Sequence, residues 1–239
     1  MGNYKADLHI HTVLSPCGSL DMSPSNIIEC AKKKHLNIIG ITDHNATHHT
    51  GIIQRLGQKE GLFVLRGAEV CTKEEIHCLA FFEFDDEINA FQKYIDEYLP
   101  HIPNDTDKLG YQVIVDENEE ILDQLPYTLL SGINQSIDKV KKKVIELNGM
   151  FIPAHIDRST FSISSQLGFI PPGLAPTAYE ISKYSSREKI LKIFPSIANY
   201  VITQDSDAHF PEDIGSVINV FELEEVSFKS IKAMFEKGF

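Results

Sequence analysis

The chain of 239 residues is 42% hydrophobic and carries a formal net charge of −12 at pH 7, which provides for one large α/β domain or two small ones around a sizeable core and excludes a disordered chain. The charge sets the protein against a long polyanion such as duplex DNA unless bound metal or a local basic patch reverses the field, so a small anionic substrate is the easier partner. No apolar run approaches the ~20 residues of a membrane span, the opening MGNYKADLHIHT lacks the apolar stretch of a signal peptide, and Cys17, Cys30, Cys71 and Cys78 show neither CxxC nor framework spacing; a cytoplasmic protein with reduced thiols is expected.

The first strand-like run is YKADLHI, followed by a helix over SPSNIIECAKKKH with Ser23 as its cap, Pro24 in its first turn, Ile27, Ile28 and Ala31 on one face and lysines at its end. NIIGIT reads as the second strand, THHTGIIQRLGQ as a helix, and LFVLRGAEV and EEIHCLAFF as further strands. From about residue 85 to 147 the pattern changes to a helix-like DDEINAFQKYIDEYL, an extended pair YQVIVD and EILDQ about the turn residues DENE, and a helix ending KVKKKVIELNG, and part of this reads as an insertion. Strand-like runs return as MFIPAHI, AYEIS, YVITQDS and SVINVFEL before a terminal helix SFKSIKAMFEKGF. The alternation predicts parallel βαβ units, and seven or eight strands fit a closed or nearly closed α/β barrel better than an open sheet.

Histidines and acids fall where these strands end. His9 and His11 finish the first strand, Asp43 and His44 follow the second, Glu69 ends the third, His155 follows MFIPA, Asp207 and His209 follow YVITQ, and His77 begins or lies within IHCLAFF. In a barrel the C-terminal strand ends converge on one face, so residues distant in sequence share a pocket. His9 and His11 are two apart on an extended strand and point to the same side, as chelation of one ion requires, and Asp207 and His209 repeat that spacing. A lone histidine of this kind is more often a hydrogen-bonded core residue than a ligand; the recurrence at successive strand ends favours a metal cluster. Mixed imidazole and carboxylate donors suit zinc, manganese or iron better than calcium or magnesium. His35, His48, His49 and His101 lie in helical or loop contexts and read as surface groups, with His48 and His49 available to line a pocket mouth.

The motifs DLHIHT, ITDHN, GAEV, PAHID and DSDAH resemble the successive motifs of the PHP (polymerase and histidinol phosphatase) superfamily of metal-dependent phosphoesterases, over most of the chain except about 85–147. The resemblance implies a single domain over 1–239: a distorted (β/α)7 TIM-like barrel, the PHP barrel, with a small α+β insertion at about 85–147 and two or three divalent metal ions. It further implies one ion held by His9, His11, Glu69 and Asp207, with Glu69 bridging to a second held by His77 and His155, and His44 and His209 holding the remaining one. Asp43 is expected to ligate or to orient a neighbouring histidine. The family usually has Asp or His in the segment that reads Ser15-Pro16-Cys17-Gly18 here, so Cys17 is either a softer ligand or a small residue in a turn.

Phosphate-ester hydrolysis needs a hydroxide at neutral pH and neutralisation of an anionic centre, and clustered cations meet both needs. The expected activity is therefore hydrolysis of small phosphate esters, phosphomonoesters first, by a metal-bridging hydroxide. Arg158, three residues beyond His155, is the candidate phosphate-binding cation, and Lys183 beyond AYEIS is a second. SISSQLGFIPPG has the composition of an ordered loop that covers a pocket. The alternatives are a phosphodiesterase or oligonucleotide exonuclease of the same family, a metal-dependent C–N hydrolase, and a non-catalytic metal-binding regulatory module.

Overall fold

The structure of the protein, a computed structural model, describes residues 1–237. Its main sheet is built from β1 (Gly2–Ile10), β2 (Ile38–Ile41), β3 (Phe63–Cys71), β4 (His77–Phe82), β7 (Met150–Pro153) and β10 (Asn219–Leu223), in the order β10-β1-β2-β3-β4-β7. A parallel pair, β8 (Tyr179–Ile181) and β9 (Ile202–Gln204), lies between the two sides of this sheet. On one side Thr177 N–H donates to Phe151 O (2.8 Å) and Ile156 N–H to Glu180 O (2.9 Å). On the other, Leu8 N–H donates to Asp205 Oδ1 (2.6 Å) and Ala208 N–H to His9 O (3.0 Å). The sheet therefore curls into a half-barrel in a mixed α/β fold.

The expected run of parallel βαβ units holds from β1 to β3 and again from β8 to β9, which pair in parallel. β3–β4, β4–β7 and β1–β10 are antiparallel. The reason is local: Thr72 N–H donates to Ile76 O (2.9 Å) and Glu75 adopts φ 59°, so a tight turn sends the chain straight back as β4 with no helix between.

Inside the curl, Leu8, Ile38, Leu65, Leu79, Phe81 and Ile152 pack together, and α8 (Phe228–Lys237) closes that end with Phe228, Ile231 and Phe235. Each such fully buried side chain contributes about 1.5–3 kcal/mol of transfer free energy. Outside, α1 (Pro24–Lys33) and α2 (Thr50–Lys59) cover Ile39, Ile41 and Val64 with Ile27, Ile28, Ala31 and Ile53. α1 begins where its sequence requires, with Ser23 accepting from Asn26 N–H and Pro24 in the first turn.

The segment after β4 rises as α3 (Asp85–Tyr98), runs through α4 (Thr106–Leu109) and the antiparallel hairpin β5 (Val113–Val115) and β6 (Ile121–Gln124), and returns as α5 (Ile137–Glu146) to β7. Phe91, Ile95, Val140 and Val144 bury its two long helices against Ala80, Phe82 and Phe151. After β7 come the four-residue α6 (Ile163–Gln166) and, between β8 and β9, α7 (Arg187–Ile193). Among the described residues no helix is long and apolar enough to cross a membrane, and all four cysteines are free.

One irregularity aims the first strand. β1 advances three residues from Asp7 to Ile10 while β2 advances two, from Ile39 to Ile41, so β1 carries an extra residue. Such a bulge reverses which side chains face inward. Ala6 and Leu8 face the inner core, Ile10 faces the outer one, and His9 and His11 are turned toward the centre. Gly40 makes room for it: a Cβ there would lie 2.2 Å from Leu8 O.

Candidate metal centre

The strands of the curl other than β10 deliver ligand-type residues to one end. His9 and His11 come from β1, Asp43 and His44 from the turn after β2, Glu69 from β3, His155 from the turn after β7, and Asp207 and His209 from the turn after β9. His77 opens a strand instead of ending one, yet it reaches the same end because β4 runs backwards and His77 pairs with Cys71. His155 (φ 28°) and Asp207 (φ 50°) hold left-handed backbone conformations, which cost a non-glycine residue on the order of 1 kcal/mol or more and concentrate at functional sites.

Glu69, 1% exposed, is the centre of the cluster. Its Oε1 lies 2.8 Å from His77 Nδ1, 3.0 Å from His155 Nε2 and 3.3 Å from His9 Nε2, and its Oε2 lies 2.9 Å from His44 Nδ1 and 3.5 Å from His11 Nε2. Asp207 Oδ1 is 3.4 Å from both His9 Nε2 and His11 Nε2. His11, His44 and His209 form a second convergent trio, with the His11 and His209 rings stacked 4.1 Å apart. Burial pushes the Glu69 carboxyl up, but His77, His9 and His44 hold it well below the usual range. Burial also opposes the Asp207 anion, which His9 and His11 restore. Cys17 touches His44 and His209, which outweigh burial and bring its thiol down to about 6.

Surrounding groups fix the rings. Glu180 accepts from His9 Nδ1 (3.0 Å) and from His155 N–H (2.9 Å); a carboxylate only accepts, so the His9 proton sits on Nδ1. Asp43 accepts from Thr12 N–H, Thr12 Oγ1 and Ser15 Oγ, each at 2.7 Å. Ser15, its proton committed to Asp43, accepts from His11 Nδ1 (3.0 Å) and His44 N–H (3.2 Å). His9 Nε2 and His11 Nε2 thus face each other at 3.1 Å, an arrangement that requires a proton or a cation between them. Donor atoms about 2.1 Å from a tetrahedral ion are about 3.4 Å from one another, close to the His9–His11, His9–Glu69, His9–Asp207 and His11–Asp207 distances of 3.1 to 3.4 Å. The residues present fit a divalent transition metal.

Of the sequence-derived residues, the structure brings together His9, His11, His44, Glu69, His77, His155, Asp207 and His209, with Cys17 beside the last trio. Asp43 stands apart, its oxygens occupied by Thr12 and Ser15. Arg158 Nη1 donates to Asp207 Oδ2 (2.5 Å), and 45% of its side chain remains exposed. Lys183 faces Asp213 at 3.7 Å. Both cations line a pocket of about 280 Å³ shared with Cys17, Asp207, His209 and Phe210. A larger groove of about 820 Å³ between α2 and α3 contains none of the cluster. In the loop after Arg158, Phe161 stacks on His77 with centroids 4.8 Å apart. His49, expected at the surface, is fully buried and hydrogen-bonded on both ring nitrogens; the turn before α2 folds inward under Thr12. Glu180, Thr12 and Ser15 were not singled out by the sequence, although AYEIS places Glu180 near a strand end by the same rule that found the ligands.

No family model matches the chain. An uncharacterized protein of Methanocaldococcus jannaschii is 37% identical over 78 residues, 29% of this chain and 46% of that protein. The lesion-specific endonuclease PfuEndoQ from Pyrococcus furiosus superposes with a TM-score of 0.77 at 19% identity, over 98% of this chain and 56% of that one. A two-domain protein from Bacteroides vulgatus containing a predicted PHP-like metal-dependent phosphoesterase gives a TM-score of 0.59 at 15% identity, over 99% and 63%. The chain has the PHP fold. An amidohydrolase from Chromobacterium violaceum shares it at a TM-score of 0.57 and 17% identity, over 91% of each chain, so the PHP fold alone does not fix the bond that is cleaved. The chain spans about half the length of both the archaeal relative and the endonuclease.

Proposed function

We propose that the protein is a metal-dependent phosphoesterase acting on small phosphate esters, phosphomonoesters first. The observation that carries the metal part is the convergence of His9 Nε2, His11 Nε2, Glu69 Oε1 and Asp207 Oδ1, with His9 Nε2 3.1 to 3.4 Å from each of the other three. Glu69 with His77 and His155 would hold a second ion, and His44 and His209, with Cys17 at their side, would hold a third. Zinc, manganese or iron suits these donors. The bound ions supply Lewis-acid charge and lower the pKa of water.

The chain's own residues then orient and neutralise. Glu180 and Ser15 hold the His9 and His11 rings with Nε2 inward. Arg158, half exposed beside Asp207, has guanidinium N–H groups left for a phosphate oxygen, and Lys183 lines the same pocket beside Asp213. Phe161 covers the outer face of His77 and keeps water from that edge. Asp43 acts through Ser15 rather than on substrate. The preference for P–O over C–N cleavage rests on the resemblance of DLHIHT, ITDHN, GAEV, PAHID and DSDAH to the phosphoesterase motifs and on the remaining N–H groups of Arg158, since both pocket cations are paired, with Asp207 and Asp213. We take 1–239 as one domain with 85–147 as an insertion, its strands closing a seven-stranded PHP barrel, in a cytoplasmic protein.

A second reading, cleavage of a phosphodiester in DNA, is favoured by the likeness to the endonuclease over nearly the whole chain. The formal charge of −12 and the acidic residues Asp116, Glu117, Glu119, Glu120 and Asp123 of the β5–β6 hairpin weigh toward the small ester. The deciding experiment measures bound metal by elemental analysis and, in the same preparation, phosphate release from phosphomonoesters, short diesters, abasic duplex DNA and amides. Two or more ions per chain with monoester turnover abolished by His9→Ala would support the first reading. DNA nicking without monoester turnover would replace it with the second, and a chain that binds no metal would end both.

A further inference from the structure

The hydrogen bonds beneath His11 continue beyond Asp43, and their direction follows from which groups are able to donate. Val115 N–H, in β5, lies 3.0 Å from His49 Nε2. A backbone amide only donates, so Nε2 accepts and the proton of the neutral ring is on Nδ1. Burial favours that neutral ring, holding its pKa below the ordinary value. His49 Nδ1 lies 2.6 Å from Thr12 Oγ1 and donates to it, which sends the Thr12 hydroxyl proton to Asp43 Oδ2 at 2.7 Å. Asp43 Oδ1 takes the Ser15 proton, and Ser15 Oγ takes the proton on His11 Nδ1. Every side chain in this series is no more than 1% exposed, so solvent cannot substitute for a missing link. Val13, Val113 and Val115 pack as a separate apolar cluster at the same junction, and the hairpin is thus seated directly over the chain that ends on His11.

We propose that His49 is a positioning residue that couples the seating of the β5–β6 hairpin to the affinity of the metal centre, through Thr12, Asp43 and Ser15. The inference rests on His11 being a metal ligand. If coupling exists it is reciprocal: an ion that locks His11 with Nε2 inward also tightens the Val115 amide, and loosening that amide weakens the ion. A side chain that merely filled space under the hairpin would affect stability and leave this exchange between the two places unchanged.

The test uses the full chain, zinc-loaded and stripped by chelator, as wild type, Thr12→Val, His49→Phe and His49→Asn. Zinc affinity is read by competition with a chromophoric chelator, Val115 amide exchange by NMR, and imidazole tautomers from ¹⁵N spectra of the stripped protein. Zinc should slow Val115 exchange in the wild type and not in Thr12→Val or His49→Phe. Both variants should bind zinc about tenfold to a hundredfold more weakly, the range of outer-sphere partners of metal ligands. His49→Asn, which keeps a donor near the Nδ1 position, should recover part of the loss. Either folded variant binding zinc within about twofold of wild type, or wild-type Val115 exchange indifferent to zinc, would overturn the coupling. If the wild type binds no zinc the metal reading itself fails; the stripped spectrum then decides the chain separately, and a His49 proton on Nε2 would refute it.

Discussion

The Glu180 carboxylate lies 3.0 Å from His9 Nδ1 while its other oxygen accepts the His155 amide at 2.9 Å, so one side chain orients a ligand on β1 and the backbone of a ligand after β7. Glu180→Gln keeps the shape and removes the charge, and its amide has one acceptor oxygen in place of two. Metal affinity is expected to fall about tenfold to a hundredfold, measured by chelator competition, with the fold retained by circular dichroism. Unchanged affinity would mean that His9 is held by β1 alone.

Arg158→Ala should leave metal content intact and lower kcat/KM for a phosphomonoester about tenfold to a hundredfold, the value of one hydrogen bond between charged groups. Arg158→Lys should restore only part of it, because a planar fork cannot be replaced by a point charge. Loss of metal in Arg158→Ala would show instead that the guanidinium serves Asp207.

Gly40 and Gly67 are both pressed against neighbouring carbonyls: an added Cβ would lie 2.2 Å from Leu8 O in one case and 2.1 Å from Ala80 O in the other. Each Gly→Ala change should destabilise the chain by about 1–3 kcal/mol in denaturant unfolding. Only Gly40→Ala disturbs the bulge that aims His9 and His11, so it should also weaken metal binding more than Gly67→Ala does. Equal metal affinities in the two variants would separate the bulge from the site.

Metal removal should make the protein lose stability as pH rises above neutrality. In the stripped chain His9 and His44 have pKa values raised well above 6.5; burial opposes this, and Glu180, Glu69 and Asp207 around His9, and Glu69 and Cys17 around His44, prevail. That contribution is complete below pH 6.5 and is lost as pH rises through the raised values. Glu69 and Asp207 are depressed below 4.5 and 3.8; their contribution is present above those values and is lost in stronger acid. Stability of the stripped chain should therefore decline above neutrality. The loaded chain should hold its stability there, since ions compete best with protons at high pH, and a 100-fold excess of metal over Kd adds about 2.7 kcal/mol. Thermal unfolding across pH 5–9, with and without chelator, reads the divergence of the two curves above neutrality.

The strand-end positions of His9, His11, His44, Glu69, His155, Asp207 and His209 were legible in the sequence because apolar runs mark strands and the residue after a run marks its end. The β5–β6 hairpin was legible from DENE between two extended runs. Three features were not. Nothing in EEIHCLAFF separates a strand that returns from one that follows a helix, since both are short and apolar, and the Thr72–Ile76 turn settles it through a left-handed Glu75. The bulge in β1 leaves no mark in the sequence DLHIH, because its cause is a neighbour, Gly40. His49 reads as a polar residue before a helix, and its burial depends on Thr12 and Val115, far away along the chain.

The 85–147 segment leaves β4 and re-enters at β7, two strands that are hydrogen-bonded neighbours. Its helices α3 and α5 carry the intervening residues to the end where the ligands gather, so Tyr98 O receives Asn134 N–H and Lys73 N–H reaches Gln135 O. Such a connection behaves as a cartridge: its contents can be exchanged in evolution or in the laboratory while both flanking strands keep their places. Any replacement would have to reproduce the backbone N–H of Val115 presented to His49, besides the Gln135 carbonyl that receives Lys73 N–H and the apolar faces of α3 and α5.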